Sequence, residues 1–391
     1  MNNSLEANTI VGFLGAGQLA RMSAAAAFRM GLRSAVYSGA AQGPEDPQRE
    51  PLEWMTPIRH PGRFDEELAL IRFAESCDVV TLENEFLDGA LLHRVRAASG
   101  TPIYPSPESF MQLESKWLEK ETFRRAGIPV TPCSIINEPA DMQAFADTHG
   151  HPFVLKSSKG GYDGYGNITV SAETEHLKAF RSLGGDKGRE LIAEAFISFE
   201  KELAVQVARN HTGSVVYPCC ETIQKNHICK TVIAPAAIGS ATATRACEMA
   251  LAATEAIDGT GLFAFEFFLT TDGELLLNES APRPHNSGHY TIEGCITSQF
   301  ENHIRAVLGL PLGAPDMRRP VAVMENLLGS HDRPARVDGA EGVWMEKDAH
   351  LHIYGKEQSR KGRKMGHITV LGDDHETTIQ TAGRLAGTVE I

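Results

Sequence analysis

The sequence predicts an α/β protein of several domains, and three observations carry that prediction. Short apolar runs alternate with amphipathic stretches through the first hundred residues. Glycine-rich turns sit directly after two of those runs, and a length of 391 residues exceeds one ordinary core. Hydrophobic residues make up 42% and charged ones 22%, the balance of a folded chain. Lys and Arg number 37 against 50 Asp and Glu, a formal charge of −13 that argues against a general nucleic-acid partner, whose phosphates need a basic face. Residues 1–8 lack the basic-then-apolar pattern of a secretory signal. Apolar runs such as Leu262–Leu269 fall far short of the roughly 20 residues that span a bilayer. The seven cysteines are scattered and odd in number, unlike a disulfide framework. The expectation is a reduced, cytoplasmic protein with no nucleic-acid and no membrane partner.

Thr9–Leu14 reads as a strand, Gly15-Ala16-Gly17 as a turn and Gln18–Met30 as an amphipathic helix. Ser34–Tyr37 is a second strand, Leu68–Ala74 a helix, Asp78–Leu82 a buried strand and Gly89–Ala98 a helix. Pro102, Pro105 and Pro107 close this unit, and Ser109–Arg125 is a charged helix leading out of it. A smaller block follows, with strands Phe153–Lys156 and Ile168–Val170 around a glycine-rich loop, then a helix over Glu173–Phe180. From Glu190 strands dominate: Leu191–Glu194, Glu202–Ala208, Ser214–Pro218, Leu262–Leu269 and Glu274–Asn278. The last seventy residues carry short strand signals at Val321–Met324, His350–Tyr354 and His367–Leu371.

The first glycine turn, Gly15-x-Gly17-x-x-Ala20, is close to a dinucleotide fingerprint. The acidic residue that a ribose would want after the second strand is absent, because that strand ends Tyr37-Ser38-Gly39. A ligand-free tight turn and a site for a small anionic group both remain open. The second loop holds four glycines in Gly160–Gly166, beside Lys156, and can fold over phosphates or form a plain flexible hairpin.

The sharpest physical signal lies in Phe263–Glu279. Asp272-Gly273 is a favoured two-residue hairpin turn, and such a turn sets Glu266 directly across from Glu279. Their neighbours Ala264, Phe268 and Leu277 would share that face. Like charges opposed on an apolar face are destabilising. A cation between them resolves the conflict, and oxygen ligands suit Mg²⁺ held partly by substrate phosphates; one protonated carboxyl, or an edge open to water, are the alternatives. The segment Glu279–His289 adds one Arg, two His and an Asn stiffened by two prolines, suited to an anion pocket. Tyr354-Gly355-Lys356 and Arg360-Lys361-Gly362-Arg363-Lys364 form a basic run in an acidic chain, best matched to a small phosphorylated ligand.

In this order, the stretches Gly15–Met22, Gly160–Gly166, Asn278–Thr291 and Gly362–His367 resemble the ATP-grasp superfamily, specifically its 5-(carboxyamino)imidazole ribonucleotide synthase family of purine biosynthesis. The resemblance implies an ATP-grasp fold: a Rossmann-like domain at 1–116, a small α+β lid at 117–188 and a larger α+β domain at 189–391 ending in a small β-rich subdomain. It implies that Lys116, Lys156 and the loop Gly160, Gly161, Tyr162, Asp163, Gly164 and Gly166 meet ATP phosphates. Glu194, Ala195, Phe196 and Ile197 would hold the adenine and Glu202 the ribose, with Gln224, Asn278 and Glu279 also at the nucleotide. Glu266 and Glu279 would bind Mg²⁺. Gln18, Leu19, Glu83, Tyr162, Asp163, Tyr165, Lys356, Arg360, Arg363 and Lys364 would meet an aminated ribonucleotide. Arg283, His285 and Lys356 would hold bicarbonate and the carboxyphosphate made from it. Family members are often homodimers.

The implied reaction is ATP- and bicarbonate-dependent carboxylation of the amine of 5-aminoimidazole ribonucleotide. Two departures bear on the acceptor: Tyr165 stands where the family usually has Arg or Lys, and Gln224 where a His is common. A related enzyme carboxylating, or ligating, a different amine is therefore the alternative. A nicotinamide oxidoreductase would leave the Glu266/Glu279 pair unexplained, and a non-catalytic binding protein would release no ADP.

Overall fold

Val11, Phe13 and Leu14 are almost wholly buried, and the run Ile10–Leu14 becomes the middle strand of a five-stranded parallel sheet. The computed structural model describes Glu6 and residues 8–39, 49–160, 166–225 and 228–391. In that first sheet the strands lie in the order Ile58–Pro61, Arg33–Ser38, Ile10–Leu14, Val79–Leu82, Ile103–Tyr104. The strand order reverses at Ile10–Leu14, so the crevice at its carboxyl end opens between Gly15–Gly17 and Glu83–Glu85, the usual ligand position in such sheets.

A second, antiparallel sheet runs Leu275–Ala281, Gly261–Thr270, Phe199–Asn210, Cys220–Lys225, Ile228–Ala234, Val321–Leu328, Lys364–Gly372, Ala349–Ile353, with Gly213–Val216 paired to Phe199–Asn210. Strands Lys364–Gly372 and Ala349–Ile353 are thus hydrogen-bonded into the large sheet through Ile228–Ala234 and Val321–Leu328, while Arg333–Pro334 and Gln358–Ser359 pair separately. Helices Ser240–Ala256 and Lys116–Arg125 cover one face, where Phe123, Ala250 and Ala253 pack on Leu203, Val205, Phe265 and Phe267. A third, antiparallel sheet, Cys133–Ile136, Leu191–Ala195, Phe153–Ser157, Asn167–Val170, carries helices Pro139–His149 and His176–Ser182 on one side through Met142, Phe145, Ala179 and Phe180. This sheet runs past residue 188, and the helix just after residue 116 belongs to the core of the large one.

Two features depart from the sequence reading. The single helix foreseen over Ser109–Arg125 is two, Pro107–Met111 and Lys116–Arg125, because Ser106 and Ser115 each cap a new start by accepting from Ser109 N and Leu118 N. The structure adds strands Cys133–Ile136, Cys220–Lys225 and Ile228–Ala234 and helices Pro139–His149, Ser240–Ala256 and His375–Ala386 to those the sequence pattern predicts. In Ser240–Ala256 the inner face is largely alanine, so its apolar periodicity is faint. All seven cysteines are free, five of them buried. Among the described residues no helix is long and apolar enough to cross a membrane.

Candidate active site

The hairpin that bears the two carboxylates turns over three residues, Thr271–Gly273, with Gly273 at φ +82° and its N–H donating to Thr270 O at 2.9 Å. Leu269, Phe268 and Phe267 therefore pair with Leu275, Leu276 and Leu277, one position off the two-residue expectation. A β-bulge at Asn278 then restores the offset, and Glu266 does face Glu279. Leu277 is the correction: it pairs with Phe267 in the core rather than sharing the carboxylate face.

The pair is electrostatically unequal. Lys116 Nζ lies 3.2 Å from Glu279 Oε2 and holds that carboxyl well below its usual range. Burial, then the neighbouring Glu279 charge, pushes Glu266 upward. Next to Glu279 in the bulge, the Asn278 side-chain oxygen is buried with no hydrogen-bond partner among the described residues. Two opposed carboxylates and an orphaned amide oxygen are a hard-oxygen donor set, so these residues fit a divalent cation.

They open into a cavity of about 1120 Å³. Lys116, Lys156, Gly160, Glu194, Ala195, Phe196, Ile197, Glu202, Gln224, Asn278 and Glu279 all line it, as do Glu266, Gln18, Leu19, Glu83, Arg283, His285 and Lys364. Lys356, Arg360 and Arg363 do not. Gly161, Tyr162, Asp163, Gly164 and Tyr165 lie outside the described residues. Gly166 closes the loop at φ +84°, its carbonyl accepting from Ser157 N.

Lys156 donates to Glu194 Oε2 at 2.7 Å. Burial works against the Glu194 charge, but Lys120 and Lys156 outweigh it and bring the carboxyl down to about 2. The half-exposed ring of Phe196 follows on the cavity wall, a flat apolar rim beside an acceptor. Glu202, with Gln224 hydrogen-bonded to it, is raised by burial to about 7.

At the crevice of the parallel sheet, Glu83 fills the glycine turn itself. Its Oε2 accepts from Gly17 N at 2.5 Å and its Oε1 from Leu19 N at 3.2 Å, so the N–H groups of the helix N-terminus already have an acceptor, a carboxyl that burial pushes upward. The open reading of a small-anion site on that turn is thereby corrected. Glu85 grips Arg283 with two bonds of 2.6 and 2.8 Å. His285 hydrogen-bonds Ser287 Oγ at 2.8 Å and stands 3.7 Å from Glu266 Oε1; burial, then Arg283, lowers it to about 4. Lys356 donates to Lys364 O at 2.8 Å, and burial followed by the Arg363 charge lowers it to about 8. Arg363 bonds Gln358 O at 3.0 Å, and Arg360 is exposed.

Sequence reasoning missed Glu85, Glu119 and Lys120. Glu119 is 4% exposed, accepts from Ser280 N and is raised by burial to about 7. Lys120 is wholly buried under the bulge. Both sit in a charge-rich stretch that reads as a solvated face, and no local signal distinguishes them.

Comparison with known proteins places this geometry. The ribonucleotide synthetase preATP-grasp domain family matches residues 8–113, the ATP-grasp domain family 121–300 and the phosphoribosylaminoimidazole carboxylase C-terminal domain family 322–381. Phosphoribosylaminoimidazole carboxylase of Ogataea methanolica is 39% identical across 92% of the chain, which spans 66% of that protein, just under two thirds. N5-carboxyaminoimidazole ribonucleotide synthase of Bacillus subtilis is 36% identical across 95% of the chain and 93% of its own length. The crystal structure of N5-carboxyaminoimidazole synthase from Aspergillus clavatus, in complex with ADP and 5-aminoimidazole ribonucleotide, superposes with a TM-score of 0.86 at 34% identity, covering 97% of this chain and 98% of that one. On domain order, identity and fold together, the chain belongs to the N5-carboxyaminoimidazole ribonucleotide synthase family of the ATP-grasp superfamily.

Proposed function

We propose that this chain uses ATP and bicarbonate to carboxylate the amine of 5-aminoimidazole ribonucleotide, giving the N5-carboxyamino product. The observation that carries the reading is the joining, in one cavity, of the Glu266/Glu279 pair, Lys116 and Lys156 with the Arg283–His285 segment and the Glu83 crevice. The Aspergillus relative crystallised with ADP and the same ribonucleotide supports it.

In this reading Lys116 and Lys156 take the ATP phosphates, Glu194 through Ile197 the adenine and Glu202 the ribose. Mg²⁺, held by Glu266 and Glu279, would neutralise phosphate charge. A bicarbonate oxygen attacks the γ-phosphorus, the bond to the β,γ-bridging oxygen breaks, and ADP leaves with that electron pair. Carboxyphosphate then separates into CO₂ and phosphate. The amine nitrogen bonds to the CO₂ carbon and gives up a proton to the phosphate just released, leaving a carbamate. Arg283 and His285 position the bicarbonate, Arg283 being the permanent charge and His285 a neutral partner at pH 7. Lys356, with Arg363, Arg360 and Lys364, forms the basic side toward the ribonucleotide phosphate, and Gln18, Leu19 and Glu83 its opposite wall. The working unit in this reading is a homodimer.

Tyr165, where a cation is usual, favours a second reading: the same carboxylation of another amine. The test is bicarbonate-dependent ADP formation with and without 5-aminoimidazole ribonucleotide, in wild type and Tyr165→Arg. Strong stimulation of wild type by the nucleotide is the expected result. Stimulation confined to Tyr165→Arg would favour another amine, and no ADP at all would overturn both.

A further inference from the structure

Lys120 is 0% exposed, ends in a polar amino group, and does not line the cavity, so the proposed chemistry leaves it without a task. Burying such a group is costly unless every proton is satisfied. Its protons are satisfied: Lys120 Nζ donates to Thr131 Oγ1 at 2.5 Å, to Leu277 O at 3.3 Å and to Asn278 O. Two of those three acceptors are the consecutive carbonyls of the bulge.

The bulge decides where Glu279 points. With the three-residue turn and no extra residue, Glu266 would oppose Asn278, and Glu279 would pair with Phe265 on the core face. The extra residue brings Asn278 and Glu279, neighbours in sequence, to the cavity together. Helix Lys116–Arg125 fastens this irregular stretch along one face at the i, i+3, i+4 spacing: Lys116 to Glu279, Glu119 to Ser280 N, and Lys120 to Leu277 O and Asn278 O.

We propose that Lys120 is a positioning residue for the metal-binding carboxylates: its buried amino group holds the Asn278 bulge and so keeps Glu279 opposite Glu266. This rests on the reading of that pair as the Mg²⁺ site. Glu194 Oε1, 3.8 Å from Lys120 Nζ, extends the same anchor toward the small sheet.

The test is Mn²⁺ binding in the presence of ADP, followed by the electron paramagnetic resonance signal of free Mn²⁺, on wild type, Lys120→Met, Thr131→Val and Glu279→Gln. Folded Lys120→Met should bind Mn²⁺ at least about tenfold more weakly, as when a supporting partner of a metal ligand is removed. The half-saturating Mg²⁺ for ADP formation should rise in proportion while the KM for the amine stays within about twofold, a split that general loosening would not give. If Lys120→Met does not fold, Thr131→Val decides, with a loss of about threefold expected from one missing acceptor. Wild-type Mn²⁺ affinity in folded Lys120→Met, or in Thr131→Val where that variant decides, overturns the inference. Unchanged affinity in Glu279→Gln overturns the metal reading itself. Weakened binding in Glu279→Gln beside wild-type binding in Lys120→Met overturns the positioning role alone.

Discussion

Arg283 shows how much a single site residue owes to a partner far away in sequence. Its guanidinium is mostly buried and is matched by the two oxygens of Glu85, 198 residues earlier. A planar fork on a carboxylate is both strong and directional, so Glu85 fixes the plane in which Arg283 faces the cavity. Burial raises the Glu85 carboxyl, but Arg283 outweighs it, and the group stays ionised below the ordinary range. Glu85→Gln keeps the shape and removes the charge. It should cost about 1–3 kcal/mol in urea unfolding, because a buried cation loses its counter-charge, and should raise the bicarbonate requirement for ADP formation. Stability within a few tenths of wild type, with an unchanged bicarbonate dependence, would mean Arg283 needs no such support.

At the scale of elements, the helix Gln18–Arg29 begins without a capping side chain of its own, and Glu83 from the neighbouring strand end supplies the acceptor. This works because Gly17 has no Cβ: one added there would collide with the Glu83 carboxylate. Gly17 itself sits at φ −76°, so alanine is allowed by the backbone and only the cap is lost. Gly17→Ala should therefore destabilise by about 1 kcal/mol, the ordinary cost of a cap, and weaken ribonucleotide binding through the displaced Glu83. Unfolding midpoint and KM measured together would check it, and a variant as stable as wild type with unchanged KM would refute it. The same element scale explains what the sequence could and could not disclose at the carboxylate pair. Thr271-Asp272-Gly273 announces a turn, but two-residue and three-residue versions share that signature, and the bulge at Asn278 leaves no local mark. The opposition of Glu266 and Glu279 was legible only because the turn and the bulge shift the register in opposite senses. Lys120, whose amino group holds that bulge, was illegible for the related reason that its two acceptors in the bulge lie 157 and 158 residues away.

Across the whole molecule, alternation of strand and helix was enough for the parallel sheet, and the motif stretches were enough for the family. Alanine-lined Ser240–Ala256 and the joining of the last strands to the large sheet were not, since both depend on neighbours rather than on local pattern. His303 is another such residue. It lies on helix Gln299–Val307, whose Phe300, Ile304 and Val307 pack against Ala20, Ala24 and Ala27 of the first helix. Its Nδ1 accepts from Leu262 N at 3.2 Å, so the neutral ring carries its proton on Nε2 and donates to Thr81 Oγ1 at 2.9 Å; Thr81 in turn donates to Tyr104 O at 2.8 Å. The ring thus ties the large sheet to the parallel one, and each atom has the role its partner requires. Protonation would turn Nδ1 into a donor facing another donor. Burial accordingly lowers His303 to about 4 from an ordinary 6.5. Between those values the unfolded chain binds the extra proton, so the stability from this group is complete above pH 6.5 and drains away as pH falls toward 4. The loss should be about 2 kcal/mol between pH 7 and pH 5 and about 3 kcal/mol in all. Other buried histidines, His176 and His289 among them, are lowered too, so the wild-type slope alone does not isolate the effect. The difference between wild type and His303→Gln does. Urea unfolding of both from pH 7 to pH 4.5 should give curves that converge by about that amount as the pH falls, whereas parallel curves would show that His303 does not couple the two sheets to protonation.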